Sequence, residues 1–297
     1  MRFVSFRGAH GQPVAGVLRP DDRVADLSHA SFAATLVGNL PSVDLFVEQG
    51  LARWAVRLAE AGFDEASLRP LADLQLRAPL RPGKVVGAAF NFTDALAERG
   101  MAPPKAPVTF VRGGSTVIGP GEAIAVPPDV GHVGYEAELA VVIGRRALAV
   151  KRDDAMRFVA GYTIHNDVSG SSLVKQDGHF VRGKNLRASA PLGPWLATVD
   201  EVPDPYAVSI RLEMGGRLLQ NGSTATMLFD IAALIEAISH QMPLEPGDVI
   251  ATGTPAGVAA MHQPEAWLLP GATVNIELGG LGRLSNPVRA GAPFLET

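Results

Sequence analysis

Beyond about residue 80 the chain alternates short apolar runs with turn residues. KVVGAAF, PVTFVR, ELAVVIG, VAGYTIHND, AVSIRLEM, DVIATGT and TVNIEL are too short for stable helices and rich in Val, Ile, Tyr and Thr. Such side chains suit a pleated surface, so each run predicts a strand. Two helices interrupt them. One is Asp153 to Ala160; the other is Asp230 to Gln241, where Asp230 can N-cap IAALIEAISHQ and Pro243 ends the run. Upstream, Phe3, Val4 and Phe6 and then Val14 to Leu18 are strand candidates punctuated by Gly and Pro. The stretch SVDLFVEQGLARWAVRLAEAGF has apolar residues at Leu45, Phe46, Leu51, Trp54, Ala55, Leu58 and Ala59. This recurrence predicts one helix, capped by Ser42 or Asp44, weakened by Gly50 and stopped at Gly62.

Strands dominate and strand–helix alternation is sparse, which predicts an α+β fold with a large curved sheet and argues against a doubly wound nucleotide-binding fold. Two prolines within LRAPLRPGK mark a linker near Ala78 to Lys84. The expected division is a small β-rich and helical N-terminal domain, residues 1–78, and a larger domain, residues 79–297.

Composition narrows the function classes. The chain has 297 residues, a net charge of -4 and 47% hydrophobic residues, an ordinary globular balance without the basic footprint that nucleic-acid phosphates require. It contains no cysteine, which excludes disulfides, zinc-thiolate sites and thiol nucleophiles and fits a reducing, cytoplasmic setting. The N-terminus alternates like a strand and carries no continuous apolar stretch of the signal-peptide kind, and no apolar run approaches the ~20 residues that span a bilayer. A soluble protein with a small-molecule substrate is expected, with neither nucleic acid nor membrane as partner.

The candidate chemistry lies in GYEAELAVVIG, residues 134–144. On a strand, Glu136 and Glu138 share one face, roughly 6.5–7 Å apart at Cα, and lead into an apolar run that reads as buried. Buried like charges are costly unless a cation joins them. Spacing alone leaves a second arrangement open, in which both glutamates sit at a solvated strand end. A third acid, Asp167, follows the strand Phe158 to Ile164 in His165-Asn166-Asp167-Val168-Ser169, at a strand-to-loop junction where site residues often sit. Three carboxylates without thiolates make a hard oxygen site that suits Mg²⁺ or Mn²⁺ rather than zinc.

These segments resemble the fumarylacetoacetate hydrolase family, whose members carry a Glu-x-Glu strand, an Asn-Asp-Val-Ser turn, a Gly-Lys-Ser segment and a Thr-Gly-Thr-Pro loop. Here they read YEAELAVVIGR, GYTIHNDVSG, RGKN followed by PLGPW, QNGSTATMLFDI and LEPGDVIATGTPAGV, in order, over about residues 80 to 290. The resemblance implies a mixed β-roll catalytic domain, usually homodimeric, with Mg²⁺ or Mn²⁺ held by Glu136, Glu138 and Asp167. It makes Lys184 the active-site lysine and places Thr254, Arg112 and Phe92 at substrate-contacting positions. It also implies an enolate chemistry on 2-oxo or 1,3-dicarbonyl acids, shared among hydrolysis, decarboxylation and tautomerisation, which fold and metal alone do not separate.

The pattern breaks at the acid–base pair. Hydrolysing relatives carry a histidine three residues before a glutamate; here the segment is Asn91-Phe-Thr-Asp-Ala95-Leu-Ala-Glu98, with Ala95 at the histidine's place. Glu98 remains as the catalytic candidate. Gly134, Phe92, Arg112, the Ser171–Ser172 pair, the residues after Lys184 and Gly215 depart too, several by losing a polar group, which points to a larger or less acidic substrate than the common diacids. His132, His165 and His179 are the histidines nearest the site in sequence; alternation puts His165 on the face of Asp167, where a supporting hydrogen bond and proton transfer are both open. Two alternatives to that enolate chemistry remain at this point: a degenerate member with a binding or structural role, and a biosynthetic enzyme with atypical chemistry on a bulkier dicarbonyl substrate.

Overall fold

The computed structural model describes residues 1–38 and 41–294. Its largest sheet runs, edge to edge, Leu68–Pro70, Arg23–Asp26, Pro13–Leu18, Arg2–Arg7, Ala190–Thr198, Val159–Asn166, Ala137–Ile143, Val249–Ala251, Lys84–Ala89 and Val108–Gly113. Most neighbours are antiparallel, while Val249–Ala251 and Lys84–Ala89 pair in parallel, so the sheet is mixed. A second sheet orders Arg217–Ser223, Ser209–Met214, Thr273–Leu278, Gly282–Ala290 and Ile124–Val126. The class is the expected α+β.

Every residue of Ala137–Ile143 is buried, and alternation sends its two faces to different cores. Ala137, Leu139, Val141 and Ile143 join a core with Ile210, Leu212, Ile276 and the helix Ile231–Gln241. Ala140 and Val142 join another with Phe3, Phe46, Trp54, Leu58 and Val85. This second core spans the chain: Phe3 pairs with Leu196, and the strands before residue 79 continue the same large sheet. Full burial of one such aromatic or aliphatic side chain contributes about 1.5–3 kcal/mol. The N-terminal helices thus cover the stretch of sheet beside the glutamates with a shared apolar layer.

The helix Ile231–Gln241 matches expectation, with Asp230 Oδ1 accepting the Ala233 amide at 2.8 Å and Ile231, Leu234, Ile235 and Ile238 forming the buried stripe. Two expected helices differ. The stretch around Gly50 forms two helices, Val43–Glu48 and Leu51–Ala61, because Gly50 takes φ +100, outside the right-handed region, and starts the second helix instead of weakening a single one. The expected helix Asp153 to Ala160 shrinks to Arg152–Ala155 and a single tighter turn, Met156–Phe158. Val159 onward is claimed by pairing with Ala137–Ile143, and such pairing overrides weak local preference. Ala190–Thr198, a central strand, did not stand out in the sequence, since Pro191 and Pro194 argue against one.

Candidate metal and substrate site

Glu138 lies opposite His165 and Ala137 opposite Asn166 in the ladder joining Ala137–Ile143 to Val159–Asn166. Residues directly opposite share a face, so the end of this ladder presents Glu136, Glu138 and Asp167 together. Backbone bonds hold the junction: the Asp167 amide donates to the Glu136 carbonyl at 2.9 Å, and Asn166 Oδ1 accepts the Glu136 amide at 3.1 Å. One carboxylate oxygen from each of Glu136, Glu138 and Asp167 lies within 4.8 Å of the others. Glu138 and Asp167 are buried and Glu136 is partly exposed, so the solvated strand end that spacing alone left open does not describe this chain.

Two cations stand against the three acids. Lys184 Nζ donates to Glu136 Oε2 at 2.8 Å and to Asp167 Oδ2 at 2.5 Å. It ends the short helix Val181–Lys184, which packs tightly because residue 183 is glycine; a Cβ there would lie 2.4 Å from Val174 Cγ2. Arg112 is fully buried and pairs with Asp167 Oδ1, and it also donates to the Ser189 carbonyl at 2.7 Å and to Ser189 Oγ at 2.6 Å. Its guanidinium therefore holds Asp167 from behind and does not border the cavity, unlike the substrate contact that the sequence suggested.

The electrostatics follow from this arrangement. Burial would raise the Asp167 carboxyl, but Lys184 and then Arg112 outweigh it and hold the group far below the usual carboxylate range. Burial would lower the Lys184 ammonium, yet Asp167 and Glu136 overcome that and raise it, so the lysine stays charged. Glu136 is raised by burial, with Lys184 opposing. Glu138 is pushed well above the ordinary value by burial and by the charges of Asp167 and Glu136. Its Oε2 accepts the Gly253 amide at 3.0 Å, and it makes no ion pair among the described residues. Glu138 is thus the one of the three acids without a cation in direct contact.

The other site candidates sort themselves around a cavity of about 400 Å³ bordered by Glu136, Glu138, Lys184 and Thr254. Thr254 Oγ1 donates to the Ala137 carbonyl at 2.9 Å and accepts from Gln220 Nε2 at 2.8 Å. Gln220 is buried, and its Oε1 also accepts the Ala137 amide at 2.9 Å; it clamps the threonine loop to the glutamate strand. It was missed in the sequence, where QNGSTATMLFDI counted only as one of the segments that carry the family resemblance. Phe92 and Ala95 border the cavity. Glu98 does not: it is exposed, and its Oε2 accepts the Gly257 amide at 2.9 Å.

No histidine borders the cavity among the described residues. His165 is buried with Nδ1 against the Pro191 carbonyl at 2.9 Å, while Nε2 stands 3.9 Å from Asp167, beyond hydrogen-bond reach. Burial lowers it to about 4, so it is neutral. His132 stacks on Trp267 at 4.6 Å and 8°, and His179 is exposed.

A profile of the fumarylacetoacetate (FAA) hydrolase C-terminal family matches residues 84–289. The chain belongs to this family. A Burkholderia multivorans protein provisionally named a hydrolase is 38% identical over 288 residues, covering 95% of this chain and 97% of the relative. The fumarylacetoacetate hydrolase of Exiguobacterium antarcticum is similar in structure, with a TM-score of 0.83, 32% identity and coverage of 98% and 99% of the two chains. A 5-carboxymethyl-2-hydroxymuconate delta-isomerase from Mycobacterium smegmatis has a TM-score of 0.76 at 32% identity, covering 98% and 99%. The family thus includes hydrolases and isomerases, and among the described residues no helix is long and apolar enough to cross a membrane.

The residues present fit a divalent cation. The donors are all carboxylate oxygens, they converge, and the one acid without a cationic partner is the buried Glu138.

Proposed function

We propose that this family member is a divalent-metal-dependent enzyme acting on a 2-oxo or 1,3-dicarbonyl acid through its enolate. The observation that carries this is the convergence of Glu136, Glu138 and Asp167 beside a charged, buried Lys184 at the border of a largely apolar cavity. Mg²⁺ or Mn²⁺ held by the three carboxylates would supply a Lewis acid that orients paired substrate oxygens and draws electron density from the carbonyl.

The chain's own groups do the rest. Lys184 brings a fixed positive charge to the place where negative charge develops on the substrate oxygen, and because Asp167 and Glu136 keep it protonated it acts as a charge and hydrogen-bond donor, not as a base. Thr254, held by Gln220, positions the substrate side of the Gly253 loop. Aromatic and aliphatic walls exclude water and strengthen these interactions.

The acid–base equipment favours a reaction other than family-style hydrolysis. Ala95 leaves no imidazole at the cavity, and Glu98 bonds a backbone amide outside its lining. Without that pair to activate water, tautomerisation or decarboxylation is the better fit. The test is a titration of metal-stripped protein with Mg²⁺ and Mn²⁺, with and without oxalate as an enolate mimic. Oxalate-enhanced metal binding that Glu138→Ala abolishes is expected; absence of metal binding by the wild type overturns the assignment in favour of a non-catalytic role.

A further inference from the structure

A row of aromatic rings starts at Lys184. The Phe110 centroid lies 4.8 Å from Lys184 Nζ, Phe180 follows at 5.0 Å and 34° from Phe110, and Phe90 at 6.4 Å and 57° from Phe180. All three rings border the cavity. Two backbone features are matched to the row. Gly87 lies opposite Phe110 in the ladder, and a Cβ there would sit 2.1 Å from Phe110 Cζ, so glycine is what lets the ring lie across the neighbouring strand. Phe90 adopts φ +59, a left-handed conformation that bulky residues rarely take.

The rings of the row carry no polar group, so what they can hold is apolar surface. Of the cations bordering the cavity, Lys184 is engaged by Glu136 and Asp167, while Arg99 and Lys175 stand elsewhere in the lining. The volume of about 400 Å³ lies in the range of about 300–1,000 Å³ that pockets for sizeable organic ligands occupy. A small oxo acid at the carboxylates would leave the aromatic row unfilled.

We propose that Phe90, Phe110 and Phe180 form an acyl subsite selecting a dicarbonyl acid with an apolar, ring-sized substituent. The proposal rests on the metal-dependent dicarbonyl chemistry put forward above and names its substrate class. Offset and tilted ring contacts beside Lys184 supply the selectivity for a ring over a small or extended polar acyl group.

The experiment is calorimetric titration of the Mn²⁺-loaded full chain with acetylpyruvate, fumarylpyruvate, benzoylpyruvate and oxalate. Benzoylpyruvate is expected to bind at least tenfold more tightly than either other acylpyruvate, and Phe180→Ala to shrink that ratio below threefold. Phe110→Leu, checked for folding by circular dichroism, serves as the second variant with the same expectation. Equal affinities, a preference for fumarylpyruvate, or an unchanged ratio in both variants overturns the subsite. Oxalate binding without binding of any acylpyruvate also overturns it while leaving the metal site standing; failure of both metal and oxalate to bind removes the underlying function as well.

Discussion

Arg112→Met removes the buried cation behind Asp167 while keeping an apolar side chain of similar length. In the wild type the guanidinium serves Asp167, the Val168 carbonyl at 3.3 Å and both acceptors of Ser189, all in a place without solvent. Ser189 Oγ also donates to the Leu186 carbonyl at 2.7 Å, so the main loss is at Asp167, whose carboxylate keeps Lys184 as its one contacting cation. Removing one partner of a buried ion pair costs about 3–5 kcal/mol. With 297 residues, an unfolding entropy of about 2.1 cal/mol/K per residue gives about 0.6 kcal/mol/K, so Tm should fall by about 5–8 °C in scanning calorimetry. Because Arg112 orients Asp167 and, after Lys184, helps hold its carboxyl ionised, Mn²⁺ affinity should fall by about 10–100-fold as well. In an Asp167→Asn background the same substitution should cost markedly less. A Tm within 1–2 °C of wild type, or costs that simply add in the double variant, would refute the view that Arg112 supports the site through Asp167.

Glu138 is the acid without a cation, so its substitution separates stability from function. Its folded-state carboxyl is raised above the unfolded value, which makes the ionised group destabilising above the ordinary carboxylate range and neutral below it. In chelator, Glu138→Gln should therefore raise Tm at pH 7–8, with the gain vanishing as the pH falls toward about 4.5, while Mn²⁺ binding is lost; a lower Tm at neutral pH contradicts the assignment. Gly87→Ala should cost about 1–3 kcal/mol in denaturant unfolding, and Phe110→Leu in the same chain should recover part of it, since the clash is with that ring. Glu98→Gln preserves an acceptor for the Gly257 amide and should keep most activity, whereas Glu98→Ala should not. Equal loss in both variants would show that the carboxylate acts by proton transfer.

The carboxylate cluster was legible in the sequence where it depends on local periodicity. Two glutamates two residues apart on a strand must share a face, and the aspartate after the next strand belongs to a segment whose order identified the family. The capped helix after Asp230 was equally visible, because its cap and its stripe lie within a dozen residues. The roles of Arg112, Glu98 and Gln220 were not. Each depends on partners 55, 159 and 34 residues away, brought near by sheet pairing that no local pattern encodes. Pairing likewise shortened the helix expected at Asp153 and made a central strand of the proline-bearing segment from Ala190. A local pattern decides which face a side chain takes; its partner is set by which strands lie side by side, a matter of burying whole faces of a sheet at once. That is why the carboxylates could be picked out along the chain, whereas the difference between a cation that borders the cavity and one that braces Asp167 appeared only in the folded molecule.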